Sequence, residues 1–163
     1  GRAGGNPSHS NSIQRVRDGI VTPGARGASM ALKLKQTVEQ MLAEANAEIE
    51  TVSVADAMKL KSDANVVFVD IRDIRELNRD GRIPGAFHAP RGMLEFWVDP
   101  QSRYYKEIFG SGKKFVLFCA GGGRSALAAQ TLQRMGVVPV CHLGGGFGAW
   151  KAAGGPIEGG KAS

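Results

Sequence analysis

Apolar and polar positions along the chain repeat with two different periods, and the changes between them lay out the fold. From Met30, the residues Leu34, Val38, Met41, Leu42, Ala45 and Ile49 recur at three- and four-residue intervals, which predicts an amphipathic helix within 30–51. Its apolar stripe is read as packing on the domain, with a dimer or partner contact as the other use. Ser53 followed three residues later by Asp56 signals the start of a short helix near 54–61. VVFVD at 66–70 and KFVLFC at 114–119 are short apolar runs of the kind found in strands buried on both faces. A helix over 73–80 is expected to stop at Gly81, and a loop over 81–90 is punctuated by Gly and Pro, with a short strand at Phe87–His88. Residues 91–98 read as helical up to Pro100. After the second strand come glycines 121–123 and a helix near 124–135, then a third strand, VVPVCHL at 137–143, glycines 144–146 and a helix around Trp150. Strands alternating with helices predict an α/β domain with a central, mostly parallel sheet flanked by helices, plus an extra N-terminal helix.

Composition bounds the picture without changing it. The chain has 163 residues, enough for one domain, with 42% hydrophobic and 22% charged residues. No apolar run approaches the roughly 20 residues of a membrane span. The formal net charge is +6, but residues 1–29 hold four arginines against one aspartate, half of that surplus. The remainder lacks the basic footprint of a nucleic-acid binder. Residues 1–29, rich in Gly, Ser, Pro and Arg, are read as a disordered leader or expression remnant, 30–51 as the N-terminal helix, and 52–160 as the domain. The two cysteines, Cys119 and Cys141, are too few for a disulfide scaffold or a cysteine-rich zinc site, and the three histidines show no zinc-protease spacing. No metal is expected. A reactive thiol and the lack of a recognisable secretory signal fit a reducing cytoplasm.

The chemistry concentrates in Cys119-Ala120-Gly121-Gly122-Gly123-Arg124-Ser125. A cysteine ends a buried strand, small residues follow, and an arginine begins a helix. Glycines let successive N–H groups converge into an anion-binding nest, and the helix N-terminus adds partial positive charge. Arg124 adds a full charge. Each favours thiolate over thiol, so Cys119 is the candidate nucleophile, with a lowered pKa. Cys141, mid-strand with no glycine loop beside it, reads as structural. His88 and His142 read as structural too, His142 in a core or edge position. Gly121, Gly123 and Ala126 match a dinucleotide-binding pattern, as do Gly144, Gly146 and Ala149, but neither set has an acidic residue about 20 positions on.

From about Val52 to Glu158 the chain resembles a single rhodanese domain. The resemblance is carried by VVFVDIRDIRE (66–76), GRIPGA (81–86), the CAGGGRS loop (119–125) and GGFGAWKAAGGPIE (145–158), in that order and spacing. It implies a rhodanese-like fold and a sulfurtransferase that moves a sulfane sulfur, from thiosulfate or another donor, to cyanide or a thiol through a persulfide. Carried onto this sequence, Cys119 would bear the sulfur and the amides of Ala120, Gly121, Gly122, Gly123, Arg124 and Ser125 would cradle it. Arg124 would meet an anionic donor. Asp70 and Arg72 match the family's D-x-R and are expected to brace the loop by a charge-assisted hydrogen bond, with Glu76 beside them. Trp150 matches a core tryptophan, and residues 91–100 resemble a segment that borders the pocket in some members. No cofactor is implied. The implied partners are a small sulfur donor and a thiol or protein acceptor, with no nucleic acid and no membrane.

Two other readings remain. A non-catalytic binding or regulatory module of this family usually lacks the cysteine, which this chain retains. Cysteine phosphatases and arsenate reductases place five residues between Cys and Arg, whereas four intervene here, a ring suited to one sulfur atom instead of a tetrahedral oxyanion. Ala120 and Gly121 carry no charge, which leaves thiosulfate, mercaptopyruvate, a protein persulfide and a small persulfide all open as donors.

Overall fold

A computed structural model of the chain describes residues 32–161, of which those from Gln36 onward form one compact unit. The leader assigned to 1–29 lies outside the described residues, as does the start of the expected N-terminal helix. That helix, α1, runs Val38–Glu48, shorter than the 30–51 expected. Thr37 caps it, its hydroxyl accepting from the Gln40 N–H while the Gln40 side chain accepts from the Thr37 N–H. This reciprocal cap fixes the start about two turns later than the apolar period suggests. Ala45 and Ile49 are buried and Leu42 packs against the core, while Val38 and Met41 stay exposed.

The sheet has five strands in the order β1-β5-β4-β2-β3, all parallel. They are β1 (Glu50–Val52), β2 (Val66–Asp70), β3 (Phe87–His88), β4 (Lys114–Phe118) and β5 (Val140–Leu143). β1 corrects the sequence reading, which carried the helix through residue 51. Three residues are too few to show a strand period, yet Glu50, Thr51 and Val52 pair in register with Cys141, His142 and Leu143 and close the β5 edge. The helices between strands are α2 (Val54–Leu60), α3 (Ile74–Asp80), α4 (Leu94–Val98), α5 (Gly123–Met135) and α6 (Gly146–Ala152), with single 3₁₀ turns at Arg91–Met93 and Glu107–Gly110. The last strand starts at Val140, not 137. No helix among the described residues is long and apolar enough to cross a membrane.

Alternation along the strands divides the core between the two faces of the sheet. Phe115, Leu117 and Cys119 point with Val69 and Val140 toward Ala126, Ala129 and Leu132 of α5. Val116, Phe118, Cys141 and Leu143 point with Phe68 toward Phe147 and Trp150 of α6. Trp150 is the core residue the motif implied: it is fully buried, edge-on to Phe68 at 5.9 Å, and its indole N–H donates to the Pro156 carbonyl at 2.9 Å. Trp150→Ala should therefore cost about 3–5 kcal/mol, read as a lowered urea midpoint. A loss below about 1 kcal/mol would show that α6 does not hold this face.

Candidate active site

The order of the strands puts a reversal between β2 and β4. From β2 the chain passes through α3 to β3 on one side, and from β4 it passes through α5 to β5 on the other. Connections that leave in opposite directions open a crevice at the strands' carboxyl ends, where open parallel sheets place ligands. Asp70, the last residue of β2, pairs in register with Phe118, and Cys119 follows at once. The candidate nucleophile thus stands at the switch point.

Cys119 is only 1% exposed, a costly place for an anion unless donors surround it. They do. Gly122, with φ at +106°, turns the chain back so that its N–H donates to Cys119 Sγ at 3.1 Å. A side chain there would strain that left-handed backbone. The Ser125 hydroxyl, in the first turn of α5, lies 3.6 Å from Sγ. Burial alone pushes the Cys119 thiol up, but the Ser125 hydroxyl and the N–H groups of Ser125, Gly122 and Gly121 outweigh it and hold the thiol below its ordinary value. Cys141, on the opposite face, has no such ring, and burial pushes it up to about 11. Ala120 serves the loop in another way, its carbonyl accepting from the Gly148 N–H at 3.0 Å.

Two further contacts hold the loop directly. The Phe147 N–H donates to the Cys119 carbonyl at 2.8 Å. Gly146 permits this approach, since a Cβ there would lie 2.5 Å from the Cys119 oxygen and its φ is +62°. Arg124 forms a two-pronged bridge to Glu76 at 2.9 and 3.0 Å, and this pairing, against the opposing effect of burial, holds the Glu76 carboxyl below its ordinary range. This corrects the expected brace. Asp70 and Arg72 are both buried and bond each other at 2.8 Å, and Arg72 also donates to the Gly81 carbonyl at 2.9 Å. Their described hydrogen bonds do not reach residues 119–125. The Arg72 guanidinium instead lies over the Phe147 ring, 4.0 Å from its centroid, so the pair supports the loop through Phe147. Glu76, which the sequence placed beside them, is the carboxylate that grips Arg124.

His88 sits away from the sulfur, its Nε2 2.7 Å from the Arg72 carbonyl. His142 lies in the core as expected, yet its Nδ1 is 3.0 Å from Ser125 Oγ and its Nε2 3.0 Å from Thr51 Oγ1. The sequence reading missed that link. Strand alternation carries the signal: Leu117 pairs with His142 in register, and Cys119, two residues on, shares its face. Beside the loop is a cleft of about 280 Å³, lined by Leu42, Asn46, Thr51, His142 and the glycines 121–123 and 144–145. Helix α1 forms its wall. Residues 91–100, expected at the pocket edge, do not line this cleft. Leu94 and Val98 pack into the core instead.

A family model described as Rhodanese-like domain matches residues 53–153. The chain belongs to this family. A solved Rhodopseudomonas palustris protein of unknown function, described as a possible tyrosine phosphatase, is 58% identical with a TM-score of 0.77, over 80% of this chain and 100% of that one. A thiosulfate sulfurtransferase from Pseudomonas aeruginosa is 26% identical with a TM-score of 0.59, over 77% of this chain and 23% of that one. An uncharacterized Synechocystis protein is 33% identical over 106 residues, 65% of this chain and 54% of its own length. The chain spans between 39% and 54% of the length of the first curated relatives it matches. The rhodanese-like match begins after β1, so Leu42, Asn46 and Thr51 are additions to the cleft from outside the matched segment.

Two outcomes follow for this rhodanese-like domain. Thiolate absorbance should rise in two separate steps, one below the ordinary thiol value of 9.0 and one near about 11. Cys119→Ser should remove the first and Cys141→Ser the second. Loss of the low step in Cys141→Ser would reverse the assignment. Gly146→Ala should cost about 3 kcal/mol, the sum of a left-handed backbone and an overpacked contact, and should raise the Cys119 step by displacing its loop. An unchanged urea midpoint and titration would show that α6 does not set the loop.

Proposed function

We propose that this domain is a sulfurtransferase that carries a sulfane sulfur on Cys119. The observation that carries the reading is the sulfur's setting: Cys119 Sγ receives the Gly122 N–H at 3.1 Å, lies beside Ser125, and is held below its ordinary thiol value. A donor ring tuned to a sulfur anion serves a persulfide as well as a thiolate. The thiolate attacks the outer sulfur of a donor. With thiosulfate, the new S–S bond forms as the donor's S–S bond breaks, and sulfite leaves with the electron pair. The persulfide anion then rests among the amides, each charge-assisted bond contributing about 1.5–3 kcal/mol. A thiophile, cyanide or a thiolate, takes the outer sulfur and restores the Cys119 thiolate. This is two-step exchange on one nucleophile and needs no general base once the thiolate is formed.

Arg124 binds the donor's anionic end with the N–H groups that Glu76 leaves free. Its charge is already paired with Glu76 and the neighbouring loop residues are uncharged, which favours donors with little negative charge, such as a small or protein-bound persulfide, over thiosulfate. The phosphatase description of the R. palustris protein transfers poorly to this loop. Four residues separate Cys119 from Arg124, one fewer than cysteine phosphatases use, and Glu76 holds the arginine.

The test is intact mass with peptide mapping after incubation with thiosulfate or a glutathione persulfide, followed by cyanide. One sulfur should add to the Cys119 peptide and leave as thiocyanate, faster with the persulfide donor, and Cys119→Ser should take none. An aryl phosphate should release no phosphate. An unmodified Cys119 with every sulfur donor, or phosphate release that depends on Cys119, would sink the reading.

A further inference from the structure

We propose that Ser125, His142 and Thr51 form a proton relay that joins the buried sulfur of Cys119 to the cleft beside α1, with His142 as the positioning residue that sets the direction of the Ser125 hydroxyl. The inference rests on Cys119 being the group that must ionise. At 1% exposure its proton has no direct route to water. The backbone N–H groups around Sγ cannot accept a proton, but Ser125 Oγ at 3.6 Å can. From there the path is continuous, through His142 Nδ1 at 3.0 Å and from His142 Nε2 to Thr51 Oγ1 at 3.0 Å. Ser125 and His142 are buried, Thr51 is exposed, and His142 and Thr51 both line the cleft. Thr51 lies outside the matched family segment, so this chain's own β1 supplies the mouth of the path.

The chain of groups has two arrangements. With Cys119 as thiol, S–H donates to Ser125, Ser125 donates to Nδ1, and Nε2–H donates to Thr51. With Cys119 as thiolate, every bond reverses: Thr51 donates to Nε2, Nδ1–H donates to Ser125, and Ser125 donates to the sulfur anion. On passing from the first to the second, each hydroxyl gives up one proton and gains one, and the imidazole gains one at Nδ1 and gives one up at Nε2. Cys119 has lost one proton and water in the cleft has gained it. His142 stays neutral throughout, which suits its burial. Without His142 the Ser125 hydroxyl would turn to the Gly122 carbonyl, 3.3 Å away, and lose its aim at the sulfur.

The charged groups on the elements around this path are Glu39, Glu44 and Glu48 on α1, Glu50 on β1, Lys114 on β4, and Arg124 and Arg134 on α5. Glu48 pairs with Arg134, Glu50 with Lys114, and Arg124 with Glu76. Glu44 accepts from Gln36 at 2.6 Å, and Glu39 is exposed. The lining that α1 gives the cleft, Leu42 and Asn46, is neutral. None of these supplies the Cys119 proton with an acceptor along the path.

The test is the imidazole ¹⁵N spectrum of the full chain across the Cys119 titration, with the His142 signals assigned by their loss in His142→Gln. His142 should remain neutral and change from the Nε2–H to the Nδ1–H form at the same midpoint as the Cys119 thiolate absorbance. Cys119→Ser and Ser125→Ala should each abolish the change while the far-ultraviolet spectrum stays native. Ser125→Ala should also raise the Cys119 midpoint by about one pH unit or more. One tautomer on both sides of the midpoint, or the same change in Cys119→Ser, would overturn the relay. The readout uses no sulfur donor. An intact tautomer change with no persulfide formation would therefore remove the sulfur-transfer reading and leave the relay standing.

Discussion

A sulfur atom that is almost wholly buried yet poised to carry negative charge is the constraint on which the rest of the site depends. Burial favours the neutral thiol. It is overcome only because the chain turns sharply after β4 and presents N–H groups and a hydroxyl to Cys119 within one helical turn. That turn needs the left-handed backbone of Gly122, and α5 must begin immediately so that Ser125 falls back over the sulfur. Glycine content, helix position and cysteine chemistry are thus one requirement expressed at neighbouring residues.

The donors work only while the loop is held, and its supports come from separate parts of the chain. α6 anchors the Cys119 and Ala120 carbonyls through the N–H groups of Phe147 and Gly148. The buried Asp70–Arg72 pair stacks on Phe147 from β2, and Glu76 of α3 fixes Arg124. The motifs that mark the family in this sequence are therefore not independent. The 66–76 segment reaches the loop through Glu76 and the 145–158 segment through Phe147 and Gly148, while the Gly81 carbonyl of the 81–86 segment accepts from Arg72 behind Phe147. Helix α1 and β1 add a neutral cleft wall that the family segment does not contain.

Much of this architecture is legible in the amino-acid sequence. VVFVD and KFVLF are strands because apolar runs of that length, bounded by turn residues, have nowhere to go but the middle of a sheet. The glycine loop marks the site because three consecutive glycines destabilise a chain unless their freedom is used. What is not legible depends on contacts across the sheet. β1 is three residues long and follows directly on a helical pattern, so local period does not reveal it. The partners of Asp70, Arg72 and Glu76 depend on which side chain reaches the loop first, and a charge pattern along the sequence does not encode that. His142 lies between these cases: strand parity places it on the Cys119 face, but only the register shows that it reaches Ser125.

The most direct measurement of the central claim is a crystal structure of the protein after treatment with a sulfane donor. The account predicts one additional atom bonded to Cys119 Sγ, within hydrogen-bond distance of the N–H groups of Gly121, Gly122 and Ser125, with the loop otherwise unmoved. An unmodified Cys119 with a tetrahedral oxyanion seated in the loop, or a sulfur added at Cys141 instead, would contradict it.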